Sequence, residues 1–456
     1  MKRILLWNSN SKRDLLGIKL LELVLQRKGF KTMVCNDDQM KLKLSTFQPH
    51  GLIAARGNFD AARKSAVACK VFIVPGEGAQ LTKETMLSVF MGRSYFKLDS
   101  VDWIERCYLW GAPTRGWLLE TGLFKEKQLK IVGNPRIDLY RDKDLVARLK
   151  NRKPKQFVLG VAISAKSTSA ANAHSPGYAE SYFNMHPEMN FPIVPKGRHY
   201  EDICWRDQAV LRLTMRYMRT FLQQMEGSII FRPSPFEDPR EYKFLEKCYK
   251  GRVRVMDEQT IPEFLCGIDT LLTCSSTTGI EALLLGIPVI SIMGTMDQEH
   301  LFQHVATQPS GFETYVPFYH LPKTEEQLLN LLKMAKEGNL PVSPKTTQEV
   351  NQLLQDIYTW PSKRSACEEI ADDVTNTLRD VPQASSDVWD KAVKHKYPLP
   401  RFLLAPAYTL RHWVDYWQSG FFRGYYRFRK NKVKNVEKLA REVDFRKGIN
   451  HAETGI

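Results

Sequence analysis

Residues 270–293 read Thr-Leu-Leu-Thr-Cys-Ser-Ser-Thr-Thr-Gly-Ile-Glu-Ala-Leu-Leu-Leu-Gly-Ile-Pro-Val-Ile-Ser-Ile-Met. An apolar run leads into four consecutive hydroxyl side chains, those of Ser275, Ser276, Thr277 and Thr278. Gly279 opens a short helical pattern that ends at Gly286, and a second apolar strand begins at Pro288. The pattern predicts a strand, a polar turn, a helix and a second strand. Such a turn brings hydroxyls, backbone N–H groups and the positive end of a helix to one point, which favours a bound phosphate.

The same turn has a purely structural interpretation. Thr278 and Glu281 have the spacing of a capping box, in which the threonine caps a helix and the glutamate reaches back to it. One cap needs one hydroxyl, whereas this turn supplies four, so a ligand site is favoured. The capping box stays open as an alternative, since a capped helix can also hold an anion.

Composition describes an ordinary globular protein. The 456 residues are too many for one core, so two domains with additional segments are expected. No run of about 18 apolar residues predicts a transmembrane helix, and the N-terminus lacks a signal-peptide pattern. The eight cysteines include no C-x-x-C pair, which predicts buried thiols in a reducing compartment. A cytoplasmic location is therefore predicted.

The positive charge is concentrated in the tail. The chain carries a net charge of +16, and residues 391–456, with 15 Lys/Arg and 5 Asp/Glu, hold +10 of it. Aromatic residues interleave with basic ones over 402–428, a composition that suits an interfacial membrane segment. Residues 400–435 are thus predicted to contact the inner face of the cytoplasmic membrane. A helix packed back onto the domains and a solvated basic end remain alternatives, and no motif indicates nucleic-acid binding.

Strand-like and helix-like segments alternate along most of the chain, which predicts parallel βαβ units. A first series of strands, a second series and a basic tail predict three parts, residues 1–150, 151–385 and 386–456. The predicted strands are 2–7, 31–35, 51–55 and 71–74 in the first series and 157–163, 228–231, 253–256 and 270–274 in the second. A polar stretch from Ser164 to about Arg198 is predicted to be a functional or disordered loop.

A carboxylate follows one strand of the first series. Val71–Val74 leads into Pro75-Gly76-Glu77-Gly78, so Glu77 is expected at the carboxyl end of a strand, where such sheets bind ligands. There it can take a proton from an acceptor hydroxyl or attack an anomeric carbon. An exposed turn glutamate is the alternative. Candidate substrate-binding residues in this and other strand-end turns are Asn8, Ser9, Gly76, Gly78, Asn134, Arg136 and Ser164.

Two proline-containing turns are further candidates. Gly133-Asn-Pro-Arg136 ends a strand and has the alternative interpretation of a boundary turn. Arg232-Pro-Ser234-Pro ends another, where the arginine can meet a phosphate or a carboxylate, or form a salt bridge with Glu237 or Asp238. The sequence Asp142-Lys-Asp144 is interpreted as solvated surface, and no metal is expected.

Together these motifs resemble the bacterial surface-carbohydrate (capsule and lipopolysaccharide) biosynthesis proteins. Those proteins are similar to GT-B enzymes that use CMP-activated acid sugars, the Kdo transferases and bacterial sialyltransferases. An acidic-Gly motif, a His-Pro motif and a Ser/Thr motif recur there in this order. The counterparts here are Gly76-Glu77-Gly78, Arg232-Pro-Ser-Pro235 and Ser275-Ser-Thr-Thr278, and the resemblance covers roughly residues 1–300.

The resemblance implies an α/β fold of GT-B type, with two Rossmann-like domains facing across a cleft and a basic, aromatic extension. It implies a metal-independent transferase without a cofactor, which moves Kdo or a related nonulosonate from a CMP-sugar to a saccharide or lipid-linked glycan acceptor. Glu77 is then the general base of an inverting reaction or the nucleophile of a retaining one. Donor-binding residues are implied at Arg232, Ser234, Ser275, Ser276, Thr277, Thr278, Gly279 and Glu281, with the serines on the phosphate and Glu281 on the ribose.

Two departures from the family pattern keep other functions open. Gly76 stands where a second acid is usual, and Ser234 replaces the histidine of the His-Pro motif. The missing histidine leaves the nucleotide open, so a UDP-sugar or CDP-polyol transferase is an alternative. An epimerase or hydrolase on the same fold, and a non-catalytic scaffold that binds polysaccharide or membrane, are the others.

Overall fold

The structure is a computed structural model that describes residues 1–8, 14–54, 59–76, 83, 101–165, 200–234, 237, 239–256, 260–298, 315–392 and 435–443. The chain divides into two compact units. The described residues of Met1–Gly78, Val89–Asp142 and Ile357–Ile456 belong to the first unit, and those of Ala79–Ser88 and Lys143–Asp356 to the second. The chain therefore builds most of the first unit, then the second, and finally returns to the first.

The first unit contains a six-stranded, all-parallel sheet with the strand order β2-β1-β3-β4-β5-β6. Its strands are β1 (Arg3–Trp7), β2 (Lys31–Cys35), β3 (Gly51–Ala54), β4 (Lys70–Ile73), β5 (Arg106–Leu109) and β6 (Leu129–Ile131). Ile4, Leu5 and Leu6 are fully buried, as expected for a parallel sheet that is covered on both faces. The strand order reverses between β1 and β3, and ligands of such sheets bind outside the carboxyl ends of the strands at that point.

The second unit contains a five-stranded parallel sheet in the order β11-β10-β7-β8-β9. Its strands are β7 (Val158–Ala162), β8 (Ser228–Arg232), β9 (Val253–Val255), β10 (Thr270–Thr273) and β11 (Val289–Ser291). Each predicted strand of this series is present, with ends that differ by one residue. The chain moves from β7 outward to β9 and then crosses back to β10 on the other side of β7, so the order reverses between β7 and β10.

Helices connect the strands of both units. In chain order they are α1 (Leu15–Arg27), α2 (Asp37–Phe47), α3 (Phe59–Ser65), α4 (Ala112–Glu120), α5 (Lys143–Lys150), α6 (Tyr200–Gln224), α7 (Phe244–Cys248), α8 (Ile261–Cys266), α9 (Thr278–Leu284), α10 (Met293–Gln298), α11 (Glu325–Lys336), α12 (Thr347–Tyr358), α13 (Ala366–Leu378), α14 (Ser386–Ala392) and α15 (435–442). The apolar side chains of Leu213, Tyr217 and Phe221 recur on one face of α6 and pack into the core of the second unit. That spacing places them together because three and four residues make about one helical turn.

The boundary of the second domain differs from the sequence prediction. Residues 357–385 are predicted in the second domain, whereas the structure assigns them to the first unit. The physical reason is α13, which packs against α1 through a buried face that includes Ile370 and Val374. No local pattern in these residues identifies the partner, because α1 lies more than 300 residues earlier in the chain.

The end of the tail also packs on the first unit. Val436, Leu439 and Val443 are buried, and Glu437 forms an ion pair with Lys19 of α1 at 3.0 Å. These residues follow the predicted membrane segment, of which residues 400–434 lie outside the described residues. The choice between membrane contact and packing on the domains therefore stays a prediction for that segment. Among the residues that the structure describes, no helix is long and apolar enough to cross a bilayer.

The predictions for the cysteines and for Asp142-Lys-Asp144 have different outcomes. Buried free thiols are confirmed at Cys35, Cys69, Cys107, Cys266 and Cys367, while Cys248 is exposed. The interpretation of Asp142-Lys-Asp144 as solvated surface is wrong for Asp142, which is 3% exposed. Asp142 directly follows the buried 3₁₀ turn Ile137–Arg141, where the chain leaves the first unit, whereas Asp144 is exposed on α5. In the described ranges, no three His, Cys, Asp or Glu side chains form a metal-binding group.

Candidate functional site

The hydroxyl-rich turn lies at the point where the strand order of the second sheet reverses. β7 and β10 are hydrogen-bonded neighbours, with Ala162 in register with Thr273. The residues that follow these strands therefore emerge side by side at the carboxyl edge of the sheet. Ser164 after β7 is exposed, and Ser275 to Thr277 after β10 are half-buried. The structure thus brings Ser164 and the hydroxyl turn to the ligand-binding edge that parallel sheets share.

The capping box is not the role of this turn. Thr278 is the first residue of α9, and Thr277 precedes it as the N-cap without a side-chain cap hydrogen bond. It is Ser276 Oγ that accepts the N–H of Thr278, at 3.2 Å. The structural alternative based on Thr278 and Glu281 is therefore overturned. Because α9 has only seven residues, the hydroxyls and N–H groups of the turn, rather than a long helix dipole, are the groups available to an anion.

Gly279 and Glu281 lie on α9 but face different surroundings. A Cβ atom on Gly279 would come within 2.4 Å of the hydroxyl oxygen of Tyr319, so close packing requires glycine here. Glu281, in the first turn of the helix, is 1% exposed. Their predicted contact with a donor stays a prediction, and for Glu281 it requires that the ligand reach a side chain that protein atoms cover.

Arg232 and Ser234 stand at the carboxyl end of β8, the next strand beyond β7. Both are mostly buried, with Arg232 in register with Ala162 of β7. The N–H of Ser234 donates to Glu237 Oε2 at 2.6 Å, and the N–H of Glu237 donates back to the Ser234 carbonyl. Ser234 is thus part of a tight turn whose conformation a buried carboxylate maintains.

Glu237 is the residue of this region that sequence reasoning did not identify as functional. Its Oε1 accepts hydrogen bonds from the N–H of Ala165 at 3.1 Å and from the hydroxyl of Tyr242 at 3.0 Å. It therefore ties the segment after β7 to the segment after β8. Burial raises the pKa of Glu237 to about 7, and the nearby carboxylate of Asp207 also raises it, against these hydrogen bonds. The sequence suggested Glu237 only as a salt-bridge partner of Arg232. Its link between the two segments could not be predicted, because its partner Ala165 lies 72 residues away.

In the first unit the structure describes part of the predicted site. Asn8 directly follows β1 and is 3% exposed; no described residue donates a hydrogen bond to its Oδ1. Gly76 is buried after β4, and the indole N–H of Trp110 donates to the carbonyl of Pro75 at 2.9 Å. That bond fixes the backbone at Pro75, directly before Gly76. Ser9, Glu77 and Gly78 lie outside the described residues.

Asn134 and Arg136 have the contacts of a structural turn. Asn134 Oδ1 accepts the N–H of Arg136 at 2.9 Å. Arg136 is 5% exposed, lies 3.8 Å from the carboxylate of Asp14, and has its guanidinium 5.8 Å from the centre of the Trp110 ring. These contacts fit the alternative interpretation of a boundary turn, because the chain leaves the first unit at Asp142, a few residues later. A substrate-binding role for the two residues stays a prediction.

Comparisons with known proteins bear on the fold. No family model and no curated protein matches the chain. Among solved structures, a variant of the wall teichoic acid polymerase TagF, soaked with CDPG, aligns with a TM-score of 0.52 at 10% identity, over 83% of this chain and 89% of that one. The S. aureus MnaA–UDP co-structure aligns with a TM-score of 0.46 at 11% identity, over 84% and 100%.

The fold of this chain is therefore of the GT-B type, two Rossmann-like α/β units with parallel sheets. The sequence prediction of the fold class is confirmed. At 10% identity the likeness to TagF defines the architecture.

Proposed function

We propose that the chain is a glycosyltransferase of bacterial surface polysaccharide assembly, which takes its sugar from a nucleotide donor held by the second unit. The observation that carries this proposal is the turn Ser275–Thr278 beside Ser164, at the point where the strand order of the second sheet reverses. Hydroxyls and backbone N–H groups at this edge suit the phosphate of a nucleotide. The GT-B architecture supports the assignment of donor binding to this unit.

For the donor we propose a CMP-activated acid sugar, Kdo or a related nonulosonate. The order of the Gly-Glu-Gly, Arg-Pro-Ser-Pro and Ser-Ser-Thr-Thr motifs supports this choice. The donor-binding set is Arg232, Ser234, Ser275, Ser276, Thr277, Thr278, Gly279 and Glu281. Arg232 and the turn hydroxyls supply charge and hydrogen bonds to the phosphate, and no metal is required in this proposal.

A thermal-shift screen with CMP, CDP, UDP and GDP tests the donor. We expect CMP and CDP to raise the unfolding temperature more than UDP and GDP at equal concentration, because a ligand that binds only the folded state stabilises it by mass action. Ser276→Ala is the matched variant and should reduce the shift. A larger shift with UDP than with CMP contradicts the CMP proposal, and no shift with any nucleotide contradicts donor binding itself.

For the chemistry we propose Glu77 as the catalytic carboxylate. Its position after the turn that Trp110 holds through Pro75 supports this, since the turn leaves the carboxyl end of β4. As a base it removes the proton of the acceptor hydroxyl while that oxygen attacks the anomeric carbon and the nucleoside phosphate leaves. As a nucleophile it bonds to that carbon first, while the nucleoside phosphate leaves. The acceptor oxygen then displaces the carboxylate and loses its proton to water. Both forms keep the phosphate on the leaving group.

Glu77→Gln separates catalysis from donor binding. We expect transfer to fall by about two orders of magnitude or more, the range that a general base or nucleophile contributes, while the thermal shift with the nucleotide is retained. Glu105→Gln is a matched control, because this half-exposed carboxylate pairs with Lys70 on the same sheet. Transfer near that of the unmodified protein in Glu77→Gln would exclude the catalytic role.

A CDP-polyol transferase is the second candidate. Two observations favour it: Ser234 stands in place of the histidine of the His-Pro motif, and TagF, which shares the fold, was solved with CDPG. The two candidates differ in the donor that the purified protein consumes. CMP release is measured in two parallel reactions, one with a CMP-sugar and one with CDP-glycerol. Release from the CMP-sugar alone supports the first candidate, and release from CDP-glycerol alone supports the second.

For the acceptor and location we propose a saccharide or lipid-linked glycan at the cytoplasmic face of the membrane. The basic, aromatic composition of residues 400–434 supports a segment that holds the protein near such an acceptor. Asn8, with a buried Oδ1 that accepts no hydrogen bond from the described residues, is placed where an acceptor hydroxyl can donate to it.

A further inference from the structure

Three successive carbonyl groups of the turn after β10 are held by hydroxyls from later parts of the second unit. The hydroxyl groups of Ser291, Tyr315 and Tyr319 donate in that order to the carbonyl oxygens of Cys274, Ser275 and Ser276. The two tyrosine bonds are 2.9 and 3.3 Å long. The carbonyl of Ser276 also accepts the N–H of Gly279, in the first turn of α9, at 2.9 Å. The turn is therefore held by three side chains distant in sequence and, at Ser276, by α9 as well.

The three donors lie on one side of the turn. Ser291 is the last residue of β11, the strand that pairs with β10 on the side away from β7. The segment with the two tyrosines leads into His320, which forms a parallel bridge with Ile290 of β11. Ser291, Tyr315 and Tyr319 are at most 1% exposed, so their positions are set by packing. The carbonyls of the turn are thus directed toward β11 and the segment that adjoins it.

Peptide geometry then fixes the direction of the N–H groups. In a planar trans peptide the N–H of one residue points opposite to the carbonyl of the residue before it. The N–H groups of Ser275, Ser276 and Thr277 therefore point away from the three hydroxyls. In the described part of the chain, none of these N–H groups has a hydrogen-bond acceptor. Successive N–H groups left open in a turn form a concave site for an anion.

We propose that Ser291, Tyr315 and Tyr319 are positioning residues, which orient the backbone of the Ser275–Thr277 turn so that three N–H groups face the phosphate of the ligand. The inference rests on the proposed function for the identity of that ligand. It adds residues that no sequence motif marks, and it assigns the phosphate contact to the backbone as well as to the hydroxyls. Loss of the Ser291 or Tyr315 hydroxyl lets the carbonyl it held turn toward the anion, which it repels. Loss of the Tyr319 hydroxyl has a smaller effect, because the Ser276 carbonyl keeps the N–H of Gly279.

A simpler role for these hydroxyls is to satisfy carbonyls that are partly removed from water. That role alone predicts a loss of stability and leaves anion affinity unchanged. The positioning role predicts a loss of affinity in addition. Tyr315→Phe and Tyr319→Phe each remove one oxygen and keep the ring, so folding is perturbed least. Tyr217→Phe is the matched control, because its buried hydroxyl bonds to Thr295 in the same unit and does not touch the turn.

The experiment measures the dissociation constants of CDP and of inorganic pyrophosphate by calorimetry, together with the unfolding temperature without ligand. We expect Tyr315→Phe to weaken both ligands about 3- to 10-fold, which corresponds to one hydrogen bond. Tyr319→Phe should weaken them less, because the Ser276 carbonyl keeps the N–H of Gly279, and the double variant should weaken them most. Tyr217→Phe should lower the unfolding temperature by a similar amount and leave both dissociation constants unchanged. Gly279→Ala, which pushes Tyr319 outward, should act like Tyr319→Phe.

The outcomes separate this inference from the proposed function. Unchanged dissociation constants in the tyrosine variants, with CDP bound by the unmodified protein, would overturn the positioning role and leave donor binding in place. If the unmodified protein binds pyrophosphate but not CDP, and the tyrosine variants bind pyrophosphate more weakly, the positioning role is supported and the proposal of a nucleotide donor fails. An equal weakening in Tyr217→Phe, or no binding of either probe to the unmodified protein, overturns the inference.

Discussion

At the residue scale, the main finding is a buried carboxylate that two backbone segments share. Glu237 accepts hydrogen bonds from the N–H groups of Ala165 and Ser234, so its charge is partly compensated although water is excluded. Desolvation prevails over these bonds, since the pKa of Glu237 is raised to about 7. Its protonation state therefore changes near neutral pH, directly behind the predicted donor-binding turns.

This shift makes a prediction for the pH dependence of stability. Because the pKa of Glu237 is about 7 in the folded protein and 4.5 for an ordinary glutamate in water, the folded state binds the proton more tightly than the unfolded chain does. The contribution of Glu237 to the free energy of unfolding is complete below about pH 4.5 and is lost as the pH rises through 7. Glu237→Gln does not titrate, so the stability of the unmodified protein relative to this variant should fall by about 3 kcal/mol over that range.

Denaturant unfolding of both proteins from about pH 5 to about pH 8 checks the sign. Glu246→Gln is the control, because the pKa of Glu246 is lowered by its hydrogen bonds to the Val255 N–H and to Lys243, against the opposing effect of burial. The contribution of Glu246 to the free energy of unfolding is present above the pKa that this residue has in the unfolded chain. It should therefore be constant over the measured pH range. A stability difference for Glu237→Gln that stays constant or grows with pH would contradict the raised pKa.

At the element scale, strands were easier to predict from the sequence than the packing of helices. Phe157–Ile163 and Lys31–Cys35 are apolar or β-branched runs between polar turns, and both are strands, because the burial that selects such residues is local to the strand. β6 has only three residues, and the turn Gly133–Arg136 that follows it indicated where it ends. Tyr315 and Tyr319 could not be linked to the turn, because the bonds join residues about 40 positions apart.

Helix α13 depends on a residue from another segment. The carboxylate of Asp138 accepts the N–H groups of Ala366 and Cys367 at 2.9 and 2.7 Å, and these are orphan donors of the first helical turn. The side chain of Ser365 also caps the helix, through the N–H of Glu368. The start of α13 is thus fixed both by its own sequence and by a buried acid more than 200 residues earlier.

We expect Asp138→Ala to destabilise the first unit by about 2–6 kcal/mol, since two buried N–H groups lose their acceptor at about 1–3 kcal/mol each. Ser365→Ala removes the local cap and should cost about 1 kcal/mol. Denaturant unfolding gives the energies, and hydrogen exchange of α13 locates the effect. A loss in Asp138→Ala no larger than that in Ser365→Ala would show that the long-range cap is dispensable.

At the scale of the whole molecule, truncation of the tail cannot test the proposed membrane contact by itself. Residues 435–443 are packed on the first unit through Val436, Leu439 and Val443. Removing everything after residue 392 therefore deletes a buried segment together with the predicted membrane segment. Full burial of one Val or Leu contributes about 1.5–3 kcal/mol, so the truncated protein loses stability whatever the membrane does.

A charge variant separates the proposed membrane contact from the packing of residues 435–443. Replacing Arg423, Arg427, Arg429 and Lys430 with glutamine keeps residues 435–443 and should weaken binding to anionic liposomes, at about 1 kcal/mol for each basic residue near the surface. Its unfolding temperature should stay unchanged, whereas Leu439→Ala should lower the unfolding temperature and leave liposome binding intact. Co-sedimentation of each variant with anionic vesicles gives the comparison. Unchanged co-sedimentation of the glutamine variant would refute the membrane contact.

The return of the chain to its first unit has a consequence for synthesis on the ribosome. When residue 142 has emerged, β1 to β6 are present, but α1 still lacks α13, which covers it in the finished protein. Residues 143–356 emerge next and contain the whole five-stranded sheet. Domains fold as units during synthesis, so the second unit is expected to mature before the first. The first unit therefore cannot complete its packing until α13 has been synthesised. Until then the apolar face of α1 is exposed, and chaperones can recognise it.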